Sequence, residues 1–447
     1  MTQPFLERAS DALLERKLYW RVMPALILLF TLAYLDRTVV GFVKDELQSD
    51  LAMSATAYGL GAGIFFIGYA LFEVPSNVLL ARVGARVWLT RIAISWSVVT
   101  LAIAFSPNAT VFNILRFLLG VAEAGLFPGA IYYMAIWFPR RSRARAVGYF
   151  TWSGSIAAII GGPIAGAILS MGHVGPFRPW QTLFMILGVA SLIVGVLVFW
   201  MLRDSPDKVR WLSDEERERL REVRVLEEST SEVLPSQSMW RTLVNPTVLV
   251  FVLIYFAMQL SIYGVTFWLP TIIGKIPDIS ELGIGFASAV PWIVAAIGIF
   301  FVTRYSDASG KRRILIFGSI LTGAVFEALS VVFGNPVLGI AALSISLAGF
   351  LSASPVFWTL PSSLLQGTSA AAAIALIGGL GNVGGFVGPY IMGAVEDATG
   401  SVTAGLPLLA ITGAVGACLV WFTRRRTTIG RSEAELAMHR GEDRVRT

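Results

Sequence analysis

Long uninterrupted apolar runs constrain this sequence more than any other feature. A helix needs about 20 apolar residues to cross the hydrocarbon core of a bilayer, and the 447-residue chain offers about twelve such runs. They lie at 21–43, 57–80, 87–106, 109–134, 145–171, 181–202, 246–271, 281–303, 313–333, 336–359, 368–394 and 402–423. Because apolar residues do not alternate with polar ones, a strand barrel is excluded. The sequence therefore predicts an all-α integral membrane protein with 12 transmembrane helices.

Charge placement supports the same interpretation. Only 14% of residues are charged, against about a quarter in soluble domains. The net charge of +6 does not predict nucleic-acid binding, because the basic residues fall in short loops, as the positive-inside rule expects. These loops carry Arg82, Arg86 and Arg91; Arg140, Arg141, Arg143 and Arg145; Lys311 to Arg313; and Arg424 to Arg426. We expect a multi-pass protein of the cell membrane with both termini in the cytoplasm.

Metal and disulfide chemistry are not expected. The chain has two histidines, His173 in a loop and His439 near the C-terminus, and one cysteine, Cys418. This set predicts no disulfide and no His/Cys metal cluster. We expect no cofactor beyond a proton acting as coupling ion.

The chain divides into two similar halves. Gly162-Pro163 lies late in the fifth run and Gly388-Pro389 late in the eleventh, about half the chain length apart. Such a repeat predicts two pseudo-symmetric six-helix halves with a substrate site between them near the midplane. We assign 1–202 and 246–423 to the halves, 203–245 to a cytoplasmic linker and 424–447 to a cytoplasmic tail. In the linker, Ser213 and Glu216 predict a capped surface helix.

Four charges lie inside apolar runs at similar depth. Asp36 and Arg37 occupy the first run, and Arg116 and Glu123 the fourth. Each costs roughly 2.5–3.5 kcal/mol near the centre of a membrane helix, so partners or a function are expected. At 1.5 Å per residue, Asp36 and Arg116 reach comparable depths, and Glu123 lies on the same helix face two turns deeper, which predicts one shared cavity. Two ion pairs that merely hold helices together remain a structural alternative.

These charges offer a route to coupled transport. Arginine binds carboxylates through two parallel hydrogen bonds. An anion bound to Arg37 or Arg116 would remove the positive charge that stabilises ionised Asp36 and Glu123, and would thereby favour their protonation. Gln259 and Asn382 are neutral polar residues in the second half that could contact the same substrate. Glu327 has no evident partner.

Several motifs resemble the major facilitator superfamily, and within it the anion:cation symporter family. The matching segments are Tyr34-Leu35-Asp36-Arg37, Phe72-Glu73-Val74-Pro75-Ser76-Asn77, Arg116-Phe117-Leu118-Leu119-Gly120, Glu123-Ala124-Gly125, Trp137-Phe138-Pro139, Trp211 to Glu216, Phe357-Trp358, and Gly381 to Pro389. They cover nearly the whole chain. The resemblance implies the fold of that superfamily and proton-linked uptake of organic anions such as tartrate, sugar acids or aromatic acids.

The resemblance also implies residue roles. Asp36 and Glu123 would take protons, and Arg37 and Arg116 would bind the substrate carboxylate. The expected substrate contacts are Tyr34, Tyr69, Gln259 and Asn382, and the expected gating residues are Glu73, Arg82, Arg86 and Asp307. The expected partners are a small organic anion and the lipid bilayer, and we expect a monomer.

The sequence departs from its relatives at three positions. Ala81 stands where the superfamily usually has an aspartate, so the gate would rely on Glu73 and Asp307. Val39 replaces a frequent asparagine and Leu187 a frequent glutamate, and Val39 makes that corner of the site less polar. We therefore predict a proton-coupled symporter that works by alternating access, with an organic anion exchanger or exporter as the alternative. A membrane enzyme or sensor is not expected, because no catalytic constellation or signalling domain is evident.

Overall fold

The first half is a bundle of helices that form where the apolar runs predict them. The structure is a computed structural model and describes residues 3–229, 245–364 and 368–423. Its helices are α1 (Gln3–Thr38), α2 (Lys44–Asp50), α3 (Ala55–Val83), α4 (Ala85–Ile103), α5 (Ala109–Glu123), α6 (Leu126–Trp137), α7 (Arg140–Leu169) and α8 (Pro179–Met201). A short 3-10 segment, Val39–Val43, joins α1 to α2.

The second half repeats this pattern after a surface helix, α9 (Asp214–Ser229). It contains α10 (Pro246–Ile273), α11 (Glu281–Ser309), α12 (Arg312–Val332), α13 (Pro336–Leu364), α14 (Thr368–Asn382), α15 (Gly384–Thr399) and α16 (Leu406–Leu419). In the described ranges, 11 helical segments are long and apolar enough to span a membrane, and Leu406–Phe422 is a shorter apolar one. The prediction of an all-helical fold with twelve spans is confirmed.

The halves touch at one end of the bundle through two pairs of helices, α3 with α15 and α7 with α11. Glycines allow the contact, since a Cβ added at Gly162 would lie 2.3 Å from the Gly285 carbonyl oxygen. An ion pair of 2.7 Å joins Lys44 to Glu396 across this interface. The Asp397 carboxylate accepts hydrogen bonds of 2.9 and 2.8 Å from the first backbone N–H groups of α3.

The same helices diverge toward the other end of the bundle. At that end Trp152 of α7 is 61% exposed and Phe301 of α11 is 63% exposed. The arginine-rich links between α3 and α4 and between α6 and α7 lie at this end as well. The structure is therefore closed at the end that carries Lys44 and Asp397 and splayed at the basic end.

The linker helix is fastened to the first half rather than only solvated. Ser213 and Glu216 form the predicted capping box, with reciprocal hydrogen bonds of 3.2 and 2.8 Å. Lys17 of α1 pairs with Glu216 at 2.8 Å, and Trp211 stacks on Trp137. The predicted tail 424–447, with Arg424 to Arg426, and residues 230–244 of the linker lie outside the described residues, so these domain boundaries stay predictions.

Candidate substrate and proton site

Arg37 and Glu123 form an ion pair in the centre of the first half. Glu123 is 1% exposed and the Arg37 side chain is 14% exposed, so Arg37 is the more accessible partner. Three rings surround it, because the guanidinium carbon lies 4.8, 5.8 and 5.2 Å from the ring centroids of Phe65, Phe66 and Tyr69. Aromatic faces stabilise a cation without competing for its hydrogen bonds. The pair therefore presents a partly exposed cation among aromatic rings, and the Tyr263 side chain of the second half is close enough to interact with it.

Interruptions of the helices fall at the site residues. α1 ends one residue after Arg37, and α5 ends at Glu123. After Glu123 the chain turns through Gly125 at φ +88°, where an added Cβ would lie 2.4 Å from the Ser76 hydroxyl oxygen. The Ser76 hydroxyl in turn donates a 2.6 Å hydrogen bond to the Ala124 carbonyl oxygen. Irregular backbone at membrane depth is tolerated where it is buried or lines a cavity, so these breaks mark the site independently of its charges.

Asp36 lies on a different side of α1 from Arg37. It is buried, and its Oδ2 accepts hydrogen bonds from Thr100 of α4 at 3.1 Å and from Ser191 of α8 at 3.5 Å. Its Oδ1 has no partner, and among the described residues no basic side chain pairs with it. Asp36 is therefore not ion-paired, although Glu123 and Arg116 lie close enough to interact with its charge. Asp36 sits in a pocket of hydroxyl groups behind the Arg37–Glu123 pair.

Arg116 is turned away from open space. It is fully buried, and its Nε and one terminal nitrogen donate to the carbonyl oxygens of Gly61 and Ala62 in α3 at 3.1 and 3.3 Å. Its other terminal nitrogen has no hydrogen-bond partner. These bonds hold α5 against α3. In this conformation Arg116 is not placed where an anion entering between the halves could reach it directly.

The second half contributes neutral groups. The Gln259 side-chain amide on α10 donates a 3.0 Å hydrogen bond to the Asn382 carbonyl oxygen on α14, and α14 ends at Asn382. Tyr263, one turn after Gln259, meets Phe66 of α3 with ring centroids 4.3 Å apart. Tyr34 of α1 meets Trp292 of α11 at 6.1 Å. Tyr34 and the helix α10 that carries Gln259 therefore both lie at the interface between the halves.

The predicted gating residues lie at the splayed end. Arg82 and Asp307 are exposed and Glu73 is half-buried. Arg86 binds within its own half, donating a 2.7 Å hydrogen bond to the Phe199 carbonyl oxygen. None of these four residues forms an ion pair across the halves in the described part of the chain. Their gating role stays a prediction that this conformation does not test.

At two positions where the sequence departs from the family pattern, Ala81 and Val39, the structure shows what surrounds the changed residue. Near Ala81, the carboxylate of Asp204 accepts a 3.0 Å hydrogen bond from the Arg86 backbone N–H, so a different aspartate secures this loop. Val39 is buried and lines an apolar pocket between the halves together with Phe42 and Trp292.

Sequence reasoning missed Thr100 and Ser191, which bind Asp36. A single hydroxyl in an apolar run usually bonds to its own helix, so neither residue stands out by spacing. The sequence shows Gly125 within the Glu123-Ala124-Gly125 motif, but its left-handed backbone conformation is apparent only in the structure.

Comparison with known proteins agrees with this geometry. The sequence profile of the Major Facilitator Superfamily matches residues 26–389 and 253–440. The chain belongs to the Major Facilitator Superfamily. It is 41% identical over 406 residues to a quinolone resistance transporter of Acinetobacter baumannii, covering 91% of this chain and 94% of that protein. It is 40% identical over 401 residues to a putative tartrate transporter of Agrobacterium vitis, covering 90% and 89%.

The fold of this superfamily also appears among solved structures. An inward-facing, occupied structure of a bacterial homologue of the human lysosomal transporter Spinster matches with a TM-score of 0.73 and 17% identity, over 90% of this chain and 96% of that one. The predicted family and fold are therefore confirmed. The chain is a multi-pass membrane transporter of a small molecule and not an enzyme.

Proposed function

We propose that this transporter carries a small organic anion together with a proton, by alternating access of its two halves. The observation that supports this most directly is the Arg37–Glu123 pair, in which a partly accessible arginine is neutralised by a buried carboxylate. A substrate carboxylate can bind Arg37 through two parallel hydrogen bonds. In doing so it competes with Glu123, whose Oε1 accepts a hydrogen bond from one terminal nitrogen of Arg37.

The displacement couples anion binding to proton binding. Once Arg37 binds the substrate, Glu123 loses its counter-charge in a buried position. An unpaired buried carboxylate is strongly unfavourable as an anion, so Glu123 takes up a proton. The loaded site then holds one anion and one proton, whose charges cancel. The net charge of the site is therefore the same with and without substrate. The buried carboxyl of Asp36, bound only by hydroxyl groups, offers a further proton site.

Gln259 and Asn382 would complete the site from the second half. Their amides can donate to and accept from a substrate hydroxyl or second carboxylate once they exchange their mutual hydrogen bond. Arg116 would maintain the packing of α5 on α3 rather than bind substrate. The relative named as a tartrate transporter supports a small carboxylate as substrate.

Transport in reconstituted vesicles tests this proposal. Tartrate, an aldonate, glucarate and benzoate would be offered to proteoliposomes with and without an imposed inward proton gradient. We expect one of these anions to accumulate only with the gradient, Asp36→Asn to abolish accumulation while binding persists, and Arg37→Ala to lose binding. Arg178→Ala, a half-exposed arginine that pairs with Asp50, is the matched control. Unaltered affinity in Arg37→Ala would contradict the anion site.

Export is the second candidate function, because one relative at 41% identity is a quinolone resistance transporter. The same site could bind a quinolone carboxylate and exchange it for protons. In the same vesicles, the inward proton gradient would then drive the anion out in exchange for entering protons. Loss of norfloxacin from preloaded vesicles, without uptake of any anion in the screen, would favour export over import.

A further inference from the structure

Glu327 is a buried carboxyl that the proposed transport cycle does not use. It lies on α12 with 0% of its surface exposed. Among the described residues, neither of its side-chain oxygens makes a hydrogen bond of ordinary length and angle. A carboxyl in such a position needs an explanation, since buried polar groups in membrane proteins are costly and usually functional.

No cation faces Glu327 from the helices packed around it. α12 packs mainly on α13 and α16, with weaker contacts to α11 and to the segment Val420–Phe422. α10, α13 and α16 contain no charged residue at all. The charges of α11 lie near its two ends, and Arg312 and Arg313 lie at the start of α12, roughly 20 Å from Glu327 at 1.5 Å per residue. An ionised carboxylate would be unpaired here, whereas a protonated one needs only an acceptor.

Ser261 on α10 supplies that acceptor. Its hydroxyl is close enough to the Glu327 carboxyl to interact with it, and it donates a 3.3 Å hydrogen bond to the Leu409 carbonyl oxygen of α16. A hydroxyl group has one proton to donate, and in this arrangement it goes to the carbonyl. The Ser261 oxygen can then only accept a hydrogen bond from Glu327. The carboxyl must carry the proton for that bond to form.

The resulting chain from Glu327 through Ser261 to Leu409 ties together three helices behind the substrate site. Residues of an α-helix are separated by about 100°, so Ser261 lies on nearly the opposite side of α10 from Gln259 and Tyr263. Those two residues face the first half and Asn382. Fixing the back of α10 therefore fixes the position of its substrate-facing side.

We propose that Glu327 stays protonated throughout the transport cycle and, by donating a hydrogen bond to Ser261, positions Gln259 and Tyr263 on α10. Glu327 is then a positioning residue that does not contribute to the proton stoichiometry. It lies behind α10, away from the side that carries Gln259 and Tyr263, which fits this role. The transport consequences rest on the proposed function, but the protonation of Glu327 does not.

Infrared difference spectroscopy of the detergent-solubilised full chain tests the protonation directly. We expect the carbonyl-stretch band of a buried protonated carboxylic acid to be present across the pH range in which the protein stays folded, and to disappear in Glu327→Gln. Asp36→Asn in the same background separates the band of Asp36 from that of Glu327. Absence of a band that depends on Glu327 would overturn the proposal, whatever the protein transports.

Transport kinetics with radiolabelled tartrate test the positioning role. Glu327→Gln keeps a neutral donor of similar shape, so we expect KM and the proton-to-anion ratio to change less than twofold. Glu327→Leu and Ser261→Ala each break the chain, and we expect each to raise KM about five- to tenfold, with the double variant no worse than either single one. Ser344→Ala is the control, because that buried hydroxyl donates only to its own helix.

Specific outcomes would contradict the positioning role. If Glu327→Gln bound tartrate but no longer accumulated it against a gradient, Glu327 would be a coupling group. If Glu327→Leu left KM unchanged, or if the two single effects added in full, the hydrogen-bonded chain would not position α10. If no variant, including the unmodified chain, transported or bound tartrate, the proposed substrate would be wrong while the infrared result would still decide the state of Glu327.

Discussion

Replacing Glu123 by glutamine is expected to strengthen anion binding, although it removes a residue of the site. In the unmodified protein a substrate carboxylate competes with Glu123 for Arg37. A hydrogen bond between charged groups contributes about 1.5–3 kcal/mol, and the 14% exposure of Arg37 places this pair toward the weaker end. Glutamine still accepts one hydrogen bond from Arg37 but carries no opposite charge, so roughly half of this contribution is retained. The net gain is about 1–1.5 kcal/mol, or roughly five- to tenfold in affinity.

The pH dependence of binding gives the same prediction a second readout. Protonation of Glu123 releases Arg37, so we expect tartrate to bind the unmodified protein more tightly as the pH falls. Glu123→Gln already lacks the competing charge, so its affinity should change little with pH and its proton-driven accumulation should be lost. Titration calorimetry in detergent at several pH values measures the affinities. Glu222→Gln, an exposed carboxylate on α9, controls for the loss of one negative charge.

A weaker affinity in Glu123→Gln would refute the competition between substrate and Glu123. It would mean that Glu123 holds Arg37 in its binding geometry, and that the pair is structural. An affinity that rises tenfold but keeps its full pH dependence would instead assign the titrating group to Asp36.

Three further predictions concern the architecture around the site. Gly125→Ala should lower the free energy of unfolding by about 2–4 kcal/mol, because alanine is strained in the left-handed region and its Cβ would overlap Ser76. Adding Ser76→Gly to this variant removes only the overlap, so it should restore only part of the lost unfolding temperature. Arg116→Ala should lower the unfolding temperature through its two lost bonds to α3, whereas the affinity for tartrate should fall less than in Arg37→Ala. Asp397→Asn should weaken the cross-half contact with the N-terminus of α3, and spin-label distances across that end should then show a larger open population.

The sequence predicted the fold because the bilayer leaves few alternatives. A run of 20 apolar residues must be helical in lipid, since every backbone polar group has to be satisfied within the segment. The capping box of Ser213 and Glu216 was also predictable, because both partners lie within one turn. The prediction was wrong at two places. It extended single helices through Glu123 and Asn382, whereas in the structure a helix ends at each of these residues. Hydrophobicity does not record a change in backbone direction.

The candidate site was predictable in its residues but not in their pairing. Depth along a helix follows from residue counting, which placed Asp36, Arg37 and Arg116 at similar depth and Glu123 two turns further along its helix. Direction around the helix decides which of them meet, and adjacent residues such as Asp36 and Arg37 point about 100° apart. Asp36 therefore meets hydroxyl groups of α4 and α8, while Arg37 meets Glu123. The sequence-based depth estimate could not have separated these two environments.

The distribution of charge between the halves implies a division of roles. In the first half, buried charges are paired or hydrogen-bonded in ways that a bound anion or proton can rearrange. The helices α10, α13 and α16 of the second half contain no charged residue, and Glu327 beside them is best satisfied as a neutral acid. An anion bound to Arg37 therefore meets no fixed charge on α10, and contacts there discriminate by shape and hydrogen bonding alone. Changes at Gln259 or Asn382 should accordingly alter which anion is preferred while the proton-to-anion ratio stays constant, and a changed ratio in Gln259→Ala would contradict this division.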